Sequence, residues 1–277
     1  MKNKTVAIIQ ARLTSSRFPR KILEKIDNLT LIEFLVKRVK ASKKINQVIV
    51  AIPNNKKNRI LKKHLKNIDF FLGSEEDVLD RYYKSAKKFH ANTIVRICGD
   101  CPFIDPEIID KLLLLQEKKN YDYVSNTINP TFPDGLDVEV FNFKILKEVW
   151  KKAKSKNDRE HVTPYILRNS KFKKYNYEFK KDLSLLRLTV DEKVDLKQLK
   201  VVYSHLKKNK NFGINDILKL YMKNKKLFSV NSSIKRNEGS KLNLGQKMWR
   251  RAKNIIPGGN MLLSKRPEMF APNQWPS

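Results

Sequence analysis

An α/β fold built on a parallel sheet is what the sequence predicts, and two observations predict it. From the N-terminus to about residue 125, short runs rich in β-branched and aromatic residues alternate with stretches of helical period. The three glycines before residue 213, Gly73, Gly99 and Gly135, each sit beside an expected strand end, among polar clusters. The first strand is expected at residues 6–9. A helix is expected at 30–39, where Leu31, Ile32, Leu35, Val36 and Val39 share one face. Strands are then expected at 48–52, 70–72, 93–97 and 121–124, with helices at 56–65, 78–89 and 106–116 between them. Asp105-Pro106 starts the last of these helices, an N-cap followed by proline at the first helical position. Strands separated by single helices form right-handed βαβ units, and ligands of such sheets bind outside the carboxyl ends of the strands. After residue 130 the pattern becomes mixed α+β. Strands are expected at 138–141, 172–179 and 186–190, and helices at 144–153, 159–167, 195–206 and 214–223.

Composition bounds the function classes. Hydrophobic residues make up 40% and aromatic residues 9%, enough for a sizeable core and against wholesale disorder. The 59 Lys+Arg against 28 Asp+Glu leave a formal charge of +31. Such a balance suggests a polyanionic partner, nucleic acid first, but the lysines run along the whole chain, as a lysine-rich codon bias would leave them. No apolar run approaches the ~18–20 residues of a membrane span, and the first apolar run is too short for a signal peptide. No membrane partner and a cytoplasmic location are expected. The two cysteines, Cys98 and Cys101, argue against a disulfide scaffold. Their C-G-D-C spacing hints at a redox pair, but further thiolates for zinc are missing and Pro102 follows directly, so they read as ordinary thiols.

Neither a P-loop nor a dinucleotide fingerprint is present. The loop after the first strand instead runs Gln10-Ala11-Arg12-Leu13-Thr14-Ser15-Ser16-Arg17-Phe18-Pro19-Arg20-Lys21. Cations and hydroxyls leaving a buried strand make a polyphosphate cradle, because Arg grips phosphate oxygens bidentately and Lys adds a point charge. A solvated basic loop is the competing account. Gly73-Ser74-Glu75-Glu76-Asp77 leads into a helix, with Ser74 as its cap and Asp77 in its first turn. Asp100, in Gly99-Asp100-Cys101-Pro102, and Asp191, after the 186–190 run, offer carboxylates at two strand ends. Such a pair, with substrate phosphates, suits Mg2+, whereas Asp191 alone reads as a turn residue. In Gly135-Leu136-Asp137-Val138-Glu139-Val140, strand alternation puts Asp137 and Glu139 on one face. Asp158-Arg159-Glu160-His161 supplies donors and acceptors for sugar hydroxyls, or a helix cap at Asp158 with solvated neighbours.

Read together, these residues resemble the cytidylyltransferases that activate sugars as CMP derivatives. The similar branch holds spore coat polysaccharide biosynthesis protein F, a relative of 3-deoxy-manno-octulosonate and acylneuraminate cytidylyltransferases. The resemblance rests on Ala11-Arg12-x-x-Ser15-x-Arg17-x-Pro19-x-Lys21, Gly73-Ser74-x-x-Asp77-Val78-Leu79-x-Arg81-Tyr82, Arg96-x-x-Gly99-Asp100-Cys101-Pro102, Gly135-Leu136-Asp137-Val138-Glu139, Arg159-Glu160-His161-Val162-Thr163-Pro164 and Thr189-Val190-Asp191-Glu192 with Asp195-Leu196. It implies a glycosyltransferase A-type nucleotide-diphospho-sugar transferase fold, with a mostly parallel mixed sheet flanked by helices. It implies Mg2+ on Asp100 and Asp191, and Arg12, Lys21 and Asp100 as the catalytic set. Ala11, Arg12, Ser15, Arg17, Lys21, Ser74, Asp77 and Arg81 would bind the nucleotide, CTP. Asp137, Glu139, Arg159, Glu160 and His161 would bind a sugar acid or sugar phosphate. A homodimer is implied as well. Two positions depart from the family pattern: Arg20 stands where glycine is usual, and Cys98 where threonine is usual.

Three segments are expected: a cytidylyltransferase-like domain at 1–230, a linker at 231–240, and a tail at 241–277. The tail, with Trp249-x-Arg251-Ala252-Lys253-x-Ile255-Ile256-Pro257-Gly258-Gly259, resembles the opening of glutamate-1-semialdehyde aminomutase-type aminotransferases. It reads as the truncated start of such a domain, without pyridoxal phosphate. Two other functions compete. A glycosyltransferase of the same fold calls for an Asp-x-Asp motif that Gly99-Asp100-Cys101-Pro102 lacks. A basic nucleic-acid-binding protein calls for clustered cations interleaved with aromatics.

Overall fold

The computed structural model describes residues 3–209, 211–234 and 236. The chain divides into two units, Met1–Ser232 and Ser233–Ser277, and every named element below belongs to the first. The tail at 241–277, expected as the start of an aminotransferase-like domain, lies outside the described residues.

The strands are β1 (Thr5–Gln10), β2 (Lys25–Ile26), β3 (Leu29–Thr30), β4 (Gln47–Pro53), β5 (Asp69–Gly73), β6 (Thr93–Cys98), β7 (Tyr123–Ser125), β8 (Glu139–Asn142) and β9 (Lys174–Asn176). The helices are α1 (Leu31–Lys40), α2 (Val78–Lys88), α3 (Pro106–Lys119), α4 (Phe143–Lys152), α5 (Lys156–His161), α6 (Pro164–Arg168), α7 (Lys193–Leu206) and α8 (Ile214–Lys223). Seven strands form one sheet in the order β5-β4-β1-β6-β8-β7-β9, while β2 and β3 pair as a separate small hairpin. β5, β4, β1 and β6 run parallel, β8 lies antiparallel to both β6 and β7, and β9 is parallel to β7.

Alternation along the strands builds three layers. Ala7 and Ile9 of β1, with Val48, Val50 and Ile52 of β4, join the core that α1, α3 and α7 cover. Val6 and Ile8, with Ile49 and Ala51, face the opposite way onto α2 and α4. Both faces are covered, which is why the central strands read as unbroken apolar runs. Helix starts follow local chemistry. Thr30 and Glu33 form a capping box at α1, and Asp105 accepts from the Glu107 amide at α3.

The structure departs from the expected elements in five places. The 56–65 stretch holds a 3-10 helix, Asn58–His64, because Asn58 is wholly buried and its amide group turns inward to Asn55. The expected 159–167 helix is two helices that break at Val162, held at φ 71° before Thr163-Pro164. Ser155, not Asp158, caps the first of them by accepting from the Asp158 amide. The 172–179 run contributes only β9, three residues. The 186–190 run is extended but makes a single bridge, Asp134 to Arg187, instead of a ladder. Among the described residues no helix is long and apolar enough to cross a membrane.

Candidate active site

Parallel strands put their carboxyl ends on one edge of the sheet, and three loops meet there: residues 11–20 after β1, Gly99-Asp100 after β6, and Ser74–Asp77 after β5. The loop after β1 is anchored rather than free. Leu13 and Phe18 are buried, Leu13 N–H donates to Asn58 Oδ1 at 2.7 Å, and the Arg20 amide closes the loop onto the Leu13 carbonyl at 2.9 Å. Thr14 donates to Glu75, so this loop and the one after β5 are tied together.

The anchored loop ends at Lys21, whose ammonium is buried between two carboxylates. Lys21 Nζ donates to Asp100 Oδ2 at 2.9 Å and to Asp191 Oδ1 at 2.8 Å. Burial alone would lower the lysine's pKa, yet the two aspartates outweigh it and the net shift is upward. Arg17 reaches Asp191 Oδ1 from the rim at 2.9 Å, and Arg187 holds Asp191 Oδ2 from below at 3.0 Å. Burial would raise the pKa of Asp191, but these three cations hold it at about 2. Asp191 is therefore ionised near neutral pH.

Backbone contacts explain why residues so far apart in sequence meet. The Asp100 carbonyl accepts from the Val190 amide at 2.8 Å and from Thr189 Oγ1 at 3.1 Å, which sets Asp191 beside Asp100. On its other side the same stretch exchanges backbone bonds with Asp134, at 2.8 and 2.7 Å. Gly135 permits that approach. It has φ 103°, and a Cβ there would stand 2.5 Å from the backbone of Leu188. Gly99 plays the same part at β1, since its Cβ would stand 2.7 Å from the Gln10 carbonyl oxygen.

The structure therefore brings together Arg17, Lys21, Asp100 and Asp191 from the residues singled out in the sequence. Two carboxylates that share one ammonium form a hard, oxygen-only donor pair at the mouth of a cationic loop, and this fits Mg2+ with phosphate ligands. Among the described residues no three His, Cys, Asp or Glu side chains cluster as a self-sufficient metal cage. Ala11 is buried at the loop's base, Ser15 is half-buried, and Arg12 is exposed.

Several of the remaining sequence candidates, Ser74, Asp77, Arg81, Glu139 and Arg159, are held by the protein itself. Asp77, not Ser74, is the N-cap of α2, accepting from the Asp80 amide at 2.9 Å, and its other oxygen takes the Arg159 guanidinium. Ser74 accepts from the Asp77 amide one turn earlier. Arg81 is buried, donates to the Ser74 carbonyl, and has its pKa lowered to about 10 by burial, with Arg12 adding to the shift. Asp137 lies outside β8, because Asn126 binds the backbone of Leu136 and Val138 and holds that stretch as a loop. Asp137 and Glu139 are thus not neighbours on one strand face. Glu139 pairs with Arg96 across the strands and accepts from Tyr123 at 2.6 Å and Thr163 at 2.7 Å. Glu160 is exposed, and half-buried His161 has its pKa lowered by burial, with Arg96 and Arg12 adding to the shift and Glu160 opposing it.

Cys98 and Cys101 are free thiols, raised by burial, Cys98 to about 12, which makes both poor thiolates. Sequence reasoning missed Asn58, Glu75, Asp134 and Arg187. Only Asn58 left a signal, as a lone amide inside an expected helix.

The family model for cytidylyltransferases matches residues 6–234. The chain is 39% identical over 241 residues to the protein MJ1063 of Methanocaldococcus jannaschii, covering 84% of this chain and 96% of that one. It is 30% identical over 236 residues to the spore coat polysaccharide biosynthesis protein SpsF of Bacillus subtilis, covering 80% and 95%. A solved cytidylyltransferase structure from Leptospira borgpetersenii superposes with a TM-score of 0.78 at 31% identity, covering 81% of this chain and 96% of that one.

Proposed function

Because the chain belongs to the cytidylyltransferase family, we propose that it transfers CMP from CTP to a sugar acid or sugar phosphate, releasing pyrophosphate, for surface polysaccharide or glycoconjugate synthesis. The observation that carries this is the Lys21 ammonium held between Asp100 and Asp191 at the carboxyl edge of the sheet. An acceptor oxygen forms a bond to the α-phosphorus as the bond to the β-phosphate oxygen breaks, and pyrophosphate leaves with the electron pair. A hydroxyl acceptor gives its proton to solvent. Negative charge grows on the leaving phosphate oxygens, so fixed cations near them lower the barrier without a covalent intermediate.

In this reading Lys21 and Arg12 face the triphosphate, and Arg17 releases Asp191 to take a phosphate oxygen. Asp100 and Asp191 would hold Mg2+, which when bound polarises the α-phosphoryl group and neutralises the phosphates. In the same reading Arg81 would face the nucleotide, and His161, its pKa lowered by burial and so neutral near pH 7, would face the acceptor. A homodimer and a cytoplasmic location come with the family resemblance.

The test is pyrophosphate release from each nucleoside triphosphate in turn, with Mg2+ and a panel of nonulosonic acids and sugar phosphates. CTP should be the nucleotide that reacts. Absence of pyrophosphate with every nucleotide overturns the proposal. Asp100→Ala should abolish release while leaving thermal unfolding cooperative, and full activity in that variant removes Asp100 from the mechanism.

A further inference from the structure

Beneath Asp191 lies a second layer that the nucleotidyl-transfer reading does not use. Arg187 is 3% exposed and divides its guanidinium among three carboxylates. Its Nη1 donates to Asp134 at 3.0 Å, its Nε to Asp195 at 2.9 Å, and its Nη2 to Asp191 Oδ2 at 3.0 Å and Asp195 Oδ2 at 3.1 Å. Asp195, itself fully buried, also accepts the backbone amides of Asp191 and Glu192, each at 2.9 Å. Both the side chain and the backbone of Asp191 are thereby fixed from one side.

The layer is braced by the last turn of this unit. Asn231 is 1% exposed, and its Nδ2 donates to Asp195 Oδ1 at 2.8 Å and to the Arg187 carbonyl at 3.3 Å. Gln198 Nε2 donates to that same carbonyl at 3.0 Å, and Gln198 Oε1 accepts the Asn231 amide at 3.3 Å.

Resting on the Mg2+-dependent reading above, we propose that Arg187 is a positioning residue: it pins Asp191 Oδ2, so that Oδ1, which Lys21 and Arg17 hold in this structure, is the oxygen turned toward the cation site, and Asn231 braces it through Asp195. A carboxylate pinned at one oxygen binds a small cation end-on without first losing rotational freedom. Free to rotate, it spends part of its time turned toward other donors. Partners behind metal ligands usually change metal affinity by about 10–100-fold when removed.

Binding of Mn2+ in the presence of CTP, read by the electron paramagnetic resonance of free Mn2+, tests this without turnover. Arg187→Lys keeps the charge but loses the planar fork, and should weaken Mn2+ binding about tenfold. CTP binding without metal, measured by calorimetry, should stay within about twofold of the parent. Asn231→Ala leaves every charge in place, and should weaken Mn2+ about threefold. Unchanged Mn2+ affinity in Arg187→Lys, or in Asn231→Ala should the first variant fail to fold, overturns the positioning role and leaves the nucleotidyl-transfer reading standing. No Mn2+ binding by the parent chain overturns both.

Discussion

Arg20 sits at φ 61° and ψ 14°, in the left-handed region, immediately before the buried Lys21. The family resemblance places glycine here, and the backbone supplies the reason. A side chain at such a φ costs ~1–2 kcal/mol, partly offset because glycine loses more entropy on folding. Arg20→Gly should stabilise the protein by about 0.5–1 kcal/mol in urea unfolding, and a destabilised variant would mean the arginine side chain holds the loop. Lys21 behaves differently, because its ammonium is the group that Asp100 and Asp191 share. Lys21→Met keeps the volume and removes the charge. It should lower pyrophosphate release by roughly 100- to 1000-fold, as loss of one fixed transition-state donor does. A variant within threefold of the parent would take Lys21 out of the phosphate site.

The site is assembled by loops that leave different strands, and its precision rests on how closely those loops pass. Gly99 shows this where β1 and β6 end side by side, its amide donating to the Gln10 carbonyl at 2.8 Å. A methyl group there meets that carbonyl oxygen, a backbone atom that cannot swing aside. Gly99→Ala should cost ~1–3 kcal/mol in thermal or urea unfolding and shift Asp100 away from Lys21, lowering activity by more than the stability loss explains. Equal stability and activity to the parent would show that the strand ends yield. Legibility follows the same division. β1, β4, β6, α1, α3 and α7 were readable because apolar period reports burial directly. Lys21 was readable as the last cation of the loop after β1, Asp100 as a carboxylate just past β6, and Asp191 as one after the extended 186–190 run. Arg187 and Asp134 were not, because their role depends on a single bridge between residues 134 and 187, which leaves no period in either segment. The break at Val162 was hidden too, since the apolar period of residues 159–167 continues through a backbone reversal. Glu139 read as a ligand contact because sequence shows that a carboxylate is there, not that Arg96, Tyr123 and Thr163 already claim it.

For the whole molecule, an excess charge of +31 means that acid adds protons to a chain already repelling itself, and folded stability depends on carboxylates that remain ionised. Asp191 is held at about 2 against an ordinary 3.8: burial opposes this, and Lys21, Arg17 and Arg187 more than compensate. Asp195 is lowered as well, where Arg187, the Asp191 amide and Asn231 overcome its burial. A carboxylate with a depressed folded pKa contributes stability that is fully present above its unfolded value and is lost as pH falls toward the folded one. His161 adds the same sign from higher pH: its imidazole is lowered, chiefly by burial, so acid favours the unfolded chain once the pH drops below the usual 6.5. Stability should therefore hold near neutrality, begin a shallow decline below pH 6.5, and fall steeply from about pH 5 toward pH 2. Urea unfolding at fixed ionic strength across that range measures it. Asp191→Asn removes one titrating carboxylate and should flatten the steep limb below pH 5 while leaving the shallow limb near pH 6 unchanged. A steep limb of equal slope in that variant would show that the three cations do not hold Asp191 as described.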